Sequence, residues 1–111
     1  MISHEVSSRS SGINISRTIS IDGDADRVAA QQQGMMFAVG LGFSLSEATI
    51  VATATLDLAG NILVHATRGE ITLSAMSHSV PPALTVTAWG QGEGSTGELG
   101  RGRRHRWTWP N

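Results

Sequence analysis

Apolar and polar positions alternate over the first patterned part of the chain. Four Ile residues between positions 13 and 21 share one parity, and polar residues fill the other. A period of two with β-branched residues on one side predicts a half-buried β-strand over residues 13–21. Arg17 falls among the apolar positions, where its stem can cover the core while its guanidinium group reaches water.

The segment Asp22-Gly-Asp-Ala-Asp26 follows this strand. Asp-Gly favours a turn, Asp24 favours a helix N-cap, and Asp26 suits the first helical turn, where the helix dipole stabilises negative charge. We therefore expect one short helix near residues 24–33, ended by Gly34 at the C′ position.

The same three acids have the alternating spacing of the first half of a calcium loop. Arg27 and Gln33 stand where such a loop has Gly and Glu, and both departures weaken the match. Asp22, Asp24 and Asp26 are therefore weak metal-ligand candidates, and we predict neither a metal nor another cofactor.

The stretch Gly34–Leu58 is almost uncharged: its charged residues are Glu47 and, next to its end, Asp57. Large apolar residues alternate with mostly small ones over Met35–Leu45, and Ala and Leu alternate mainly with Thr over Thr49–Leu58. This pattern predicts two adjacent strands, interior to a sheet and turning at Ser46-Glu47.

Further reversals at Gly60-Asn61 and Arg68-Gly69 extend the pattern into a four-stranded antiparallel meander over residues 35–76, and a last strand is expected over residues 84–89. The predicted fold class is mainly β, an antiparallel sheet of five or six strands folded as a sandwich or small barrel. An α+β fold is the alternative.

A membrane span is not expected, because the apolar run over residues 34–45 is too short for a spanning helix, which needs about 20 residues. Extending the run would bury Glu47 in the bilayer. The predicted organisation is a flexible N-terminal arm over residues 1–12, a β-rich domain over residues 13–89, and a Gly-rich linker with a basic Arg/Trp tail over residues 90–111.

Composition and charge restrict the function. The chain has no Cys, which excludes a disulfide framework and Cys-based zinc sites, and its N-terminus has no apolar signal-like segment. We expect a cytoplasmic protein or a component of a larger assembly. The net charge of −1 divides into −4 for residues 1–97, with four Arg against eight acids, and +3 for residues 98–111, with four Arg against one Glu.

The four His residues have no metal-ligand spacing, and the many Ser residues make any nominal Ser-His-Asp set uninformative. We predict no catalytic residue and do not expect an enzyme. One remaining alternative is a small ligand-binding or enzymatic β-barrel that uses the small-residue face of residues 36–44.

The C-terminal segment GRGRRHRWTWPN has the composition of a binding segment. Arg side chains pair with phosphate or carboxylate, and two Trp at alternate positions share one face of an extended chain. The leading prediction is a self-associating, non-enzymatic interaction or assembly subunit, a homo-oligomer whose tail docks on a neighbouring subunit. The alternative is nucleic-acid binding through the same tail. The candidate residues are Arg101, Arg103, Arg104, Arg106, Trp107 and Trp109.

Overall fold

The computed structural model describes residues 14–66, 68–76, 83–91 and 103–110. The predicted N-terminal arm and most of the predicted linker lie outside these residues. The described chain forms four strands and two helices. Their bounds are β1 Asn14–Ile21, α1 Asp24–Gly40, α2 Leu45–His65, β2 Arg68–Met76, β3 Leu84–Gln91 and β4 Arg103–Trp109.

The strands form one antiparallel sheet in the order β1-β2-β3-β4. Both helices pack on the same face of this sheet, α1 mainly over β1 and α2 over β2 and β3. Buried side chains alternate along β2 and β3, so that each strand turns one row of residues toward the helices. We call the opposite side of the sheet the open face, because no element of the described residues covers it.

The architecture is α+β with a single four-stranded sheet. The prediction of a mainly β fold with five or six strands in a sandwich or barrel is wrong. The parts of the expected meander over residues 35–45, 49–58 and 62–66 lie in α1, in α2 or in the connections around them. The strands expected over residues 13–21 and 84–89 correspond to β1 and β3, and the last part of the meander, up to residue 76, lies in β2.

A capping box starts α2, at the point where the sequence suggested a reversal between strands. Ser44 Oγ accepts a hydrogen bond from the Glu47 backbone N–H at 3.1 Å, and Glu47 Oε1 accepts one from the Ser44 backbone N–H at 3.0 Å. These two bonds satisfy amide groups that the first helical turn leaves without partners. The Ser-x-x-Glu spacing before an apolar run was therefore the available sequence signal for a helix.

The buried side of α2 follows helical rather than strand spacing. The buried residues of α2 are separated mainly by three, four or seven positions, which places them in one stripe along the helix. Thr55 belongs to this stripe, and its Oγ1 donates to the Val51 carbonyl at 2.8 Å, which satisfies the buried hydroxyl. The buried residues are Ala48, Val51, Ala52, Thr55, Ala59 and Ile62.

The first helix continues well past Gly34, where the sequence predicted its end. Gly34 is buried inside α1, and a Cβ atom placed there would lie 2.7 Å from Thr55 Oγ1. The glycine thus lets the two helices approach closely. The helix ends instead at Gly40, and Gly42, which follows the C-cap residue Leu41, has a φ of +98°. Its N–H donates to the Val39 carbonyl, and the Phe43 N–H donates to the Ala38 carbonyl, as in a Schellman motif.

Among the described helices, α2 has the length and apolar composition that crossing a membrane requires. The buried cores of soluble proteins contain helices of the same kind, and the buried stripe of α2 packs on α1 and on the sheet. These contacts bury 33% of the most apolar 18-residue window of α2.

Replacement of Ser44 by Ala is expected to lower the free energy of unfolding by about 1 kcal/mol, because the cap of α2 loses its acceptor. Chemical denaturation followed by circular dichroism measures this loss. Ser46→Ala is the matched control, since Ser46 is exposed in the first turn and is not the cap. Equal losses in the two variants would contradict the capping role.

Replacement of Gly34 by Ala is expected to destabilise the fold by about 1–3 kcal/mol through overpacking, in spite of the better helix propensity of Ala. Gly40→Ala is the control, because a Cβ at Gly40 meets nothing within 4 Å. Combining Gly34→Ala with Thr55→Ala should cost less than the sum of the two single changes. Additive losses in this denaturation cycle would show that the helices do not meet at this point.

Candidate functional site

The predicted basic tail is an integral strand of the sheet. Residues 103–109 form β4, which pairs antiparallel with β3. Val86 lies opposite Trp107, and Leu84 lies opposite Trp109. Arg101 lies outside the described residues. The tail segment therefore packs on its own chain over these seven residues.

Strand parity separates the Trp side chains from two of the Arg side chains. Trp107 and Trp109 lie on the helix side, where both pack against the buried core. Their rings are stacked, with centroids 6.2 Å apart and planes 6° from parallel. Arg104 and Arg106 have the other parity and are exposed on the open face. The shared Trp face is as predicted, but a single Arg/Trp surface does not form from these four residues.

A groove lies between α2 and the helix side of β4. Its volume is about 430 Å³, and it is open to solvent. Ile50 on its wall is 40% exposed, although it lies on a helix that otherwise supplies the core. We call this feature the α2–β4 groove. Its lining residues are Thr49, Ile50, Thr53, Ala54, Asp57, Leu58 and Trp107.

The open face has its own aromatic residue, Trp89 on β3. In the sheet register Trp89 lies between Glu70 on β2 and Arg104 on β4. These three residues, with Thr72 and Thr87, line a shallow depression that is open to solvent and has a volume of about 610 Å³. We call this feature the Trp89 surface. Sequence reasoning assigned no role to Trp89, although its alternation with Thr85 and Thr87 already indicated that it faces away from the core.

The weak metal candidates lie at the turn before α1. Asp26 Oδ2 accepts hydrogen bonds from the Asp22 N–H at 2.8 Å and from the Gly23 N–H at 3.2 Å. The carboxylate of Asp26 therefore closes the turn and caps the start of the helix. In the described ranges no group of three or more His, Asp or Glu side chains is placed to hold a metal ion.

Two Arg side chains, Arg17 and Arg27, have structural partners. Arg17 Nη1 donates to Gln33 Oε1 at 2.9 Å, which links β1 to α1. Arg27 Nε donates to the Leu56 carbonyl at 3.2 Å, which links the two helices. His65 is exposed in the last turn of α2, and His105 is exposed on β4. These contacts hold the elements together and form no recognisable catalytic set.

Comparison with known proteins gives no match: no protein-family model fits the chain, and no curated protein is similar to it at a significant level. The α2–β4 groove and the Trp89 surface are consequently judged on their chemistry alone.

Proposed function

We propose that this chain is a non-enzymatic interaction subunit that associates with a second copy of itself through the β4 side of the molecule. The observation that carries the proposal is the α2–β4 groove, where an exposed part of the core helix adjoins half-buried Trp107 at an outer strand. Three features support it: the apolar lining, the position of β4 in the sheet, and the separation of charge.

The lining of the groove suits a protein contact. Ile50, Leu58 and Trp107 provide apolar area, and Thr49 and Thr53 provide hydroxyl groups near them. Apolar surface next to polar groups is typical of the centre of an interface, and Trp is the residue most enriched at its energetic hot spots. Asp57 is the one ionisable group in the lining, so most of the surface can be desolvated at small cost.

The position of β4 suits pairing with another strand. In the sheet formed by the described residues, β4 is the last strand of the order. An outer strand presents backbone N–H and C=O groups that can pair with a second chain. Two copies related by a two-fold axis could join their β4 strands into one continuous antiparallel sheet, with groove facing groove.

The charges on β4 allow such a pairing. With Trp107 at the two-fold axis, Arg106 would lie opposite Thr108 of the partner subunit, so no like charges would be directly opposed. The pairing would place Trp107 beside its counterpart on the helix side, next to the two grooves. Arg104 and Arg106 would remain on the open face.

The proposal includes a cytoplasmic location or membership of a larger assembly, and the absence of Cys is consistent with a reducing compartment. It does not include catalysis, because the groove has a single ionisable side chain in its lining and the described residues provide no nucleophile paired with a base there. The residues that line the groove are best suited to binding a protein surface by burial of apolar area.

Replacement of Ile50 by Glu is expected to weaken self-association of the full chain about tenfold or more, because pairing would desolvate an unpaired carboxylate. Size-exclusion chromatography with light scattering over a concentration series measures the dissociation constant. Leu45→Glu is the matched control: Leu45 is on the same helix, is 71% exposed and does not line the groove.

Circular dichroism should show that both variants retain the fold. A full chain that is monomeric throughout the concentration series would overturn the proposal. Equal weakening by Ile50→Glu and Leu45→Glu would also count against it, since a general increase in negative charge would then be the cause.

A further inference from the structure

We propose that the Trp89 surface on the open face binds single-stranded nucleic acid, with a base stacked on Trp89 and the backbone phosphates paired to the surrounding Arg side chains. This site differs from the predicted tail site, because its aromatic platform is Trp89 and not the Trp pair on the helix side. It also lies on the opposite side of the sheet from the α2–β4 groove, and the proposal does not rest on self-association.

The position of Trp89 suits stacking. Its ring belongs to the row of β3 that faces away from the helices, between Thr87 and Gln91, and it is half-buried. The backbone of Trp89 is held by pairing with β2 and β4. Binding on its ring therefore does not require a loop to become ordered. A base stacked on an aromatic side chain contributes about 1–3 kcal/mol, largely without regard to its identity.

The charges around Trp89 are mainly positive. Arg104 is directly across from Trp89 on β4, and Arg106 and Arg68 lie on diagonal positions of the neighbouring strands. All three are exposed, and among the described residues Glu70 is the one acid on the same face. Three Arg and one Glu give this face a net charge of +2, whereas the whole chain carries −1. The positive charge is therefore concentrated where Trp89 is.

The rest of the open face is rich in hydroxyl groups. Thr18 Oγ1 and Thr72 Oγ1 lie 3.2 Å apart across β1 and β2, and Thr72 and Thr87 line the Trp89 surface. Hydroxyl groups can donate to phosphate oxygens and to the edges of bases. The surface thus combines an aromatic ring for stacking, positive charge and hydrogen-bond donors.

These properties favour a single strand over other anionic partners. Bases of a duplex are stacked on one another, so Trp89 could not reach their faces without opening the helix. An acidic polypeptide would satisfy the Arg side chains but would leave the Trp89 ring without a flat partner. Sequence preference should be weak, because every base has a face that can stack.

The test uses the full chain with two fluorescently labelled probes, a short oligouridylate and an oligothymidylate of the same length, in anisotropy titrations at several salt concentrations. Contact with three phosphates predicts a log–log salt slope of about −2.1, which is 0.7 for each phosphate on a single strand. A duplex of the same length and a polyglutamate competitor distinguish stacking from general attraction of anions.

Trp89→Leu is expected to weaken binding of both single strands about 5- to 150-fold, since the stacking contribution is lost while an apolar side chain remains. Arg104→Gln and Arg106→Gln should each reduce the magnitude of the salt slope by about 0.7. Arg17→Gln is the matched control, because it removes the same charge from the helix side of β1 and should leave the slope unchanged.

Glu70→Gln is expected to tighten binding. Loss of the folded structure would instead weaken binding, so the two effects can be distinguished. Removing the Glu70 carboxylate, which lies in the lining beside Arg104 and would repel phosphate, should strengthen binding about threefold at low salt. Ile50→Glu, in the α2–β4 groove, should have no comparable effect, so failure of the self-association proposal would not be confused with failure of this one.

Absence of binding at low salt would overturn the proposal. Equal affinity for the duplex, or full competition by polyglutamate, would also overturn it, because phosphate or carboxylate attraction without stacking would then explain the data. Binding that persists in Trp89→Leu with an unchanged affinity would place the nucleic-acid site elsewhere on the chain.

Discussion

The packing of α2 is the contact on which the rest of the structure depends. A single helix face meets α1 and the two central strands at the same time, and it consists largely of Ala, Thr and β-branched residues rather than long side chains. Small residues allow the close approach at Gly34. Within the described residues the helices cover one face of the sheet, and the buried rows of β2 and β3 lie under α2.

This arrangement also produces the two candidate surfaces. The helix α2 lies over β2 and β3 more than over β4. The part of α2 that extends beside β4 therefore keeps apolar residues in contact with solvent, and Trp107 closes the resulting groove. On the other side, the sheet has no covering layer within the described chain, and its residues are correspondingly mostly Ser, Thr and Arg, with Glu70 and Trp89 among them.

Antiparallel pairing divides the chemistry of β4 between these surfaces. The segment from Arg103 to Trp109 is a mixture of basic and aromatic residues when read as a sequence. Once it is a strand, alternate residues point to opposite sides. The Trp pair then extends the core, and Arg104 and Arg106 join Trp89, which is contributed by a different strand. Basic and aromatic groups thus meet through the register of the sheet and not through proximity in the chain.

The sequence by itself determined the three strands with alternating patterns and the start of a helix near Asp24. In those strand segments the apolar and polar residues fit a period of two and do not fit the helical period. Between Gly34 and Thr67 nearly every residue is small or apolar, so strand and helix periods fit equally well, and β-branched residues favoured the wrong one. Tertiary packing decided this region: burial of Ala48 through Ile62 against two neighbours outweighs local propensity, and only the resulting register shows which side chains of the tail meet Trp89.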